Sequence, residues 1–205
     1  DPEMSRGLGD VYKRQDYYGN EDFFKAYPND DRKEWNYMTE WKIKSGEIIP
    51  YTESADKLPA ISKYYDYDEG APGKSAQSNG ITCIYRYAEV LLMYAEASTR
   101  ATNSVNQDAL NAIQEVQKRA GYQNRQIELT TTTEPAAFLT AVSNERGWEF
   151  FAEMKRWFEL VRLEKVKEVR AEEWDASTFN TNHHYYFPVP YQQVDLAGWT
   201  NNAGY

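Results

Sequence analysis

The chain of 205 residues is 41% hydrophobic and 27% charged, enough apolar content for one or two domains with a real core, which excludes a disordered tail or a collagen-like repeat. Its 23 Lys plus Arg stand against 32 Asp plus Glu, and the formal charge of -9 excludes nucleic acid as the expected partner, because a phosphate backbone needs a basic face. A mean hydropathy of -0.82, without any apolar run of about 18 residues, excludes a transmembrane helix.

The first fifteen residues, DPEMSRGLGDVYKRQ, carry no sustained period of either kind and resemble the conceptual translation of a sequencing adapter. They read as foreign, so the protein is expected to continue upstream of Asp16, with 16–205 as its C-terminal portion. Residues 16–83 form a loop-rich aromatic segment in which only short runs, Glu47 to Tyr51 and Ile61 to Tyr65, suggest strands or turns. DEGAPGKSAQSNG, Asp68 to Gly80, is a loop by composition.

Ile84, Tyr87, Ala88, Leu91, Leu92 and Ala95 recur at helical spacing and predict a helix from about Ile84 to Thr99. Ala109, Leu110, Ile113, Val116 and Ala120 form a second stripe, which Gly121 stops after Lys118 and Arg119. The resulting hairpin, 84–121, is close to the roughly 34 residues of a tetratricopeptide-type pair. A third helix starts after Thr133, with Glu134 and Pro135 in its first turn, and is expected to reach Ala152; it carries Phe138, Leu139, Val142 and Trp148. A fourth, Met154 to about Arg170, carries Trp157, Phe158, Val161, Val166 and Val169, giving a helical pair over 134–170. Residues 185–205, with two prolines and two glycines, predict an extended, turn-rich tail. No strand and helix alternation supports a parallel sheet. The expected fold is all-α: tetratricopeptide-like helical pairs with long irregular loops and short strands.

Several blocks in order resemble the C-terminal half of the SusD/RagB family. They are FFKAYPNDDRK (Phe23 to Lys33), Lys63 with Tyr64, IYRYAEVLLMYAEAS (Ile84 to Ser98), LNAIQEVQKRAGY (Leu110 to Tyr122), ERGWEFFAEMKRWFELVRL (Glu145 to Leu163), and the closing FPVPYQQVDL and NNAGY. Gly147, Met154, Glu159 and Ala203 depart from the family pattern of Arg, Gly, Asp and Pro; Met154 favours helix over Gly by about 1 kcal/mol, which would smooth the break between the third and fourth helices. The resemblance implies a helical superhelix and a surface-exposed lipoprotein of the outer membrane. It also implies attachment through an N-terminal lipid anchor, binding of oligosaccharide or polysaccharide without catalysis, and a SusC-like TonB-dependent transporter as partner. Cys83, the single cysteine, is not that anchor, since a helix follows it at once. Removing the half of a superhelix that precedes the first hairpin is expected to bare an apolar flank including some of Leu91, Leu92 and Tyr94.

Candidate chemistry falls into four groups. Glu145, Glu149 and Glu153 recur at i, i+4 and i+8, with neighbours about 5 to 6 Å apart. That spacing would fit a helical glycoside hydrolase using Glu149 and Glu153. The favoured alternative is a structural salt-bridge network with Arg146, Lys155, Arg156 and Arg162. The adjacent His183 and His184 would diverge in extended chain and lack a third ligand at metal spacing. Asn29, Asp30 and Asp31, and Asp66, Asp68 and Glu69, offer oxygen ligands for calcium without the EF-hand pattern, so no cofactor is expected. The aromatic loop residues are the stronger lead: Trp35, Tyr37, Trp41, Tyr65 and Tyr67 stand among Asp, Arg and Asn. Sugar rings stack apolar C–H faces on aromatic rings while their hydroxyls reach carboxylates and amides. Tyr64 reads as a pin holding the loop to the helical body. A tetratricopeptide scaffold holding a peptide is the remaining rival.

Overall fold

A computed structural model describes residues 19–43, 45–54, 56–64, 83–169 and 180–205. The chain divides into two compact units, Asp1–Glu153 and Met154–Tyr205, so the division falls between the third and fourth predicted helices.

The first unit opens with two short helices, α1 (Glu21–Ala26) and α2 (Asp31–Asn36), where the sequence reading had loop. Six residues are too few to display a helical period; side-chain caps define them instead. Asn20 accepts a hydrogen bond from the Phe23 N–H, and Asp30 accepts from the N–H groups of Arg32 and Lys33. Strands β1 (Tyr37–Met38), β2 (Glu40–Lys42), β3 (Ile48–Pro50) and β4 (Ala60–Ile61) make two antiparallel ribbons, pairing Tyr37 with Ile61 and Trp41 with Ile49. A 3-10 turn, Tyr51–Glu53, joins the second ribbon to the return of the chain. Trp41 and Ala60 centre a small apolar cluster with Met38, Ile43, Ile49 and Tyr51.

The main core lies among α3 (Tyr87–Thr102), α4 (Gln107–Arg119) and α5 (Pro135–Glu149), and gathers Leu92, Ala95, Ile113, Val116, Phe138 and Val142. The α3·α4 hairpin matches expectation, and every member of the predicted α4 stripe is buried. The stripe on α3 needs correction: the helix begins at Tyr87, and both Ile84 and Tyr87 are exposed. Arg86, at the cap position, is extended (φ -136°, ψ 157°) and reaches to α5, which holds the chain out of the helix until Tyr87. At Gly121 the stop forms as predicted, with φ +84°. Any side chain would be strained in that left-handed conformation, and a Cβ there would also press on the Asp31 carboxylate of α2.

Glu134 caps α5 through the N–H groups of Ala136 and Ala137, but the helix ends at Glu149 rather than Ala152. Ala152 and Met154 each take φ +59°, so Met154 does not smooth the break. Its backbone adopts the left-handed conformation that explains the family's glycine. In the second unit the predicted fourth helix is divided into α6 (Arg156–Arg162) and α7 (Val166–Val169), with Glu164 at φ +56° between them. Two more short helices follow, α8 (Thr181–His184) and α9 (Tyr191–Ala197). The C-terminal residues fold back: Asn202 Nδ2 donates to the Phe187 carbonyl (2.6 Å), the Val189 N–H to Asn201 Oδ1 (2.8 Å), and Tyr205 Oη to the Tyr186 carbonyl (3.0 Å). Among the described residues no helix is long and apolar enough to cross a membrane.

Candidate functional site

The aromatic residues singled out in the loop segment divide sharply. Trp35, on α2, is 67% exposed, whereas Tyr37 and Trp41 are each 3% exposed. The Tyr37 ring packs on Phe24, Tyr27 and Phe151 with centroids 4.6 to 5.8 Å apart, and Trp41 centres the ribbon cluster. Their ring faces are taken by packing, which corrects the expectation that they stack on a sugar. Tyr65 and Tyr67 lie outside the described residues. Tyr64 pins the loop as expected, donating to the Ala152 carbonyl at 3.2 Å.

Three contacts fix the helix that displays Trp35. Arg32, three residues before it, is buried in ion pairs with Glu145 and Glu149. Asp31, four residues before it, receives Arg125 Nε at 2.8 Å, while Arg125 Nη2 pairs with Glu34 at 2.8 Å. Ser62 Oγ donates to the Trp35 carbonyl at 2.8 Å. Trp35 is therefore carried on a tethered element.

The three glutamates of α5 and its C-terminal turn are engaged with cations brought from far along the chain. Glu145 accepts from Arg32 (2.7 Å), Tyr122 Oη (3.0 Å) and Gln117 Nε2 (3.3 Å). Glu149 accepts from Arg32 (2.8 Å), Arg86 (2.6 Å) and Arg119 (2.6 Å); Glu153 accepts from Lys63 (2.6 Å) and Arg86 (2.8 Å). The partners differ from the expected local ones: Arg146 approaches Glu89 at 3.7 Å and Arg156 approaches Glu159 at 3.3 Å. Arg32, Lys63, Arg86 and Arg119 were missed because nothing in sequence spacing signals a contact across 30 to 117 positions.

Burial pushes the Glu145 carboxyl above the ordinary range, against the pull of Arg32. Burial works the same way on Glu149, but Arg119, Arg86 and Arg32 outweigh it and hold that carboxyl below its ordinary value; Arg86 and Lys63 do so for Glu153. Glu149 is buried, and its carboxylate oxygens are occupied by guanidinium groups. Such an acid is neither accessible to a glycosidic oxygen nor poised to donate a proton, which removes the basis for a hydrolase built on Glu149 and Glu153.

The other candidates are also accounted for. His183 and His184 stand on the short helix α8, where their rings stack at 4.6 Å instead of diverging. Asp30 is a helix cap bound to Arg32, and Asp31 is held by Arg125, so these oxygens already serve cationic side chains. Asp66, Asp68 and Glu69 lie outside the described residues. Among the described residues no cluster of three or more His, Cys, Asp or Glu is placed to hold a metal. Cys83 is exposed.

Comparison with known proteins agrees with this architecture. The SusD family model matches residues 10–205. SusD-like protein P2 of Formosa agariphila is 28% identical over 200 residues, covering 88% of this chain and 39% of its own length. A SusD superfamily protein from Parabacteroides distasonis has a similar structure, with a TM-score of 0.71 and 24% identity over 92% of this chain and 42% of that one. A laminarin binding SusD-like protein follows, with a TM-score of 0.65 and 20% identity over 98% and 41%. The chain spans about two-fifths of the length of these proteins.

Proposed function

The chain belongs to the SusD family, and on that premise we propose that it is part of a non-catalytic protein that captures oligosaccharide at the outer-membrane surface and delivers it to a SusC-like TonB-dependent transporter. The observation that carries the reading is the family match across residues 10–205. A structural relative is itself named for binding laminarin. The exposed indole of Trp35, fixed on an anchored helix, supplies a surface suited to the apolar face of a sugar ring.

The mechanism is binding and hand-over, with no bond broken. The acidic chain favours a neutral or basic glycan over an acidic polymer. Surface localisation through an N-terminal lipid anchor belongs to the same proposal. Its test is uptake of fluorescently labelled oligosaccharide by cells carrying or lacking the gene, together with co-purification from detergent-solubilised membranes. Loss of uptake and recovery of a TonB-dependent transporter are expected. Unchanged uptake, with the protein recovered in the cytosolic fraction, would contradict the reading and favour a peptide-binding scaffold.

A further inference from the structure

The end of α5 receives the chain twice. Residues 60–64 arrive from β4, residues 83–86 lead into α3, and both segments are bound at the same two groups. Lys63 Nζ donates to Glu153 Oε1 at 2.6 Å and to the Glu149 carbonyl at 3.2 Å. Arg86 Nη2 donates to the same carboxylate oxygen at 2.8 Å and to the same carbonyl at 2.8 Å. Arg86 Nε takes the other oxygen of Glu153 at 3.1 Å, and Tyr64 Oη donates to the Ala152 carbonyl at 3.2 Å. The Glu149 carbonyl is one of those that a helix leaves open at its C-terminus, where cations are favoured.

Lys63 and Arg86 repel each other, so sharing this place requires a negative charge between them. Burial draws the Lys63 ammonium below its ordinary value, more than Glu153 restores, and Arg86 acts in the same direction as burial. Glu149 is also committed to Arg32 and Arg119, whereas Glu153, among the described residues, makes its ion pairs with Lys63 and Arg86. Ala152 and Met154, on either side of Glu153, both take φ +59°. That conformation is costly for a side-chain-bearing residue and persists where the surroundings dictate it.

We infer that Glu153 is a clasp: it holds the two segments that flank 65–82 onto the end of α5, and breaking it frees both while the α3–α5 core stays folded. The core does not depend on it, because Leu92, Ile113, Phe138 and the pairing of Arg32 with Glu145 lie outside the clasp. Lys63, Arg86 and Glu153 are each at least partly exposed, so water can take over their hydrogen bonds when they separate. This inference stands apart from the glycan-binding reading.

The test is hydrogen exchange of the full chain, read by mass spectrometry at rising urea below the unfolding transition, for wild type, Glu153→Gln and Lys63→Met. The Ser62 N–H, which donates to the Asn36 carbonyl at 2.9 Å, reports on the first segment. The Glu89 N–H, which donates to the Arg86 carbonyl at 2.9 Å, reports on the second, and Ile113 within α4 reports on the core. In wild type the two reporters should exchange through an opening little affected by urea, whereas exchange at Ile113 should be slowest and rise steeply with it. Glu153→Gln should speed both reporters about tenfold, as loss of charge-assisted hydrogen bonds implies. Lys63→Met should release residues 60–64 alone, since Arg86 keeps both glutamates. Reporters that follow the urea dependence of Ile113 would show that these segments open only with the whole unit, and the clasp is overturned. Unchanged exchange in Glu153→Gln, or release of one segment only by that substitution, overturns it as well.

Discussion

Glu149 receives hydrogen bonds from Arg32, Arg86 and Arg119 while its side chain is fully buried, so one carboxylate joins α2, the start of α3, the end of α4 and α5. Replacing it by Gln leaves Arg32 and Arg86 short of a counter-charge; Arg119, mostly exposed, loses little. Glu149→Gln is expected to cost about 3 kcal/mol at pH 7, read from urea unfolding. The folded-state carboxyl lies below its ordinary value, so its contribution is full above the unfolded value of about 4.3 and disappears as pH falls through the depressed folded one. The gap between wild type and variant should therefore close in acid; a gap constant from pH 7 to 3 would count against the assignment. Two buried tyrosines give a second contrast. Tyr27 Oη donates to the Trp148 carbonyl at 2.7 Å and accepts from Asn36 Nδ2 at 2.8 Å, whereas Tyr37 Oη has no hydrogen-bond partner among the described residues. Tyr27→Phe should cost about 1 to 3 kcal/mol, and Tyr37→Phe should be neutral or stabilising by up to about 1 kcal/mol, in the same unfolding assay. At this scale the sequence revealed residue types but not partners: the i, i+4, i+8 glutamates were visible, their distant cations were not. Composition also could not tell an indole in a core, Trp41, from an exposed one, Trp35.

Among the elements, α4 was legible in full because its apolar stripe, its basic last turn and Gly121 all point to the same helix. By contrast α1 and α2 were hidden, since side-chain caps rather than a repeated apolar face hold them. The start of α3 was misplaced by the apolar character of Ile84 and Tyr87, which a tethered Arg86 overrides. At the end of α5 propensity argued for continuation through Met154, but the backbone turns left-handed there. This makes a substitution prediction with a definite sign. Met154→Gly should raise stability by about 0.5 to 1 kcal/mol, because removing the Cβ penalty of the left-handed conformation outweighs the added freedom of the unfolded chain. A loss of 1 kcal/mol or more in thermal unfolding would show that the side chain, not the backbone, governs this turn.

Across the molecule, the face of α3 turned away from α4 carries Tyr87, Val90, Met93 and Tyr94, all exposed. Of the residues expected on the bare flank, Tyr94 is exposed there, whereas Leu92 is in the core and Leu91 packs against it. An apolar stripe of this size predicts that the 205-residue chain binds a hydrophobic dye and self-associates. Tyr94→Lys with Val90→Lys should reduce both, measured by dye fluorescence and sedimentation. The family and its helical architecture were legible because ordered motif blocks run from Phe23 to Tyr205. The proposed sugar-binding surface was legible only as an excess of aromatic residues beside acids. The most direct measurement of the central claim is calorimetric titration of the protein with neutral oligosaccharides, followed by analysis of reducing ends in the same samples. Saturable binding with no new reducing ends is the result the account predicts; release of reducing sugar by the purified protein, or no heat of binding with any glycan, would contradict it.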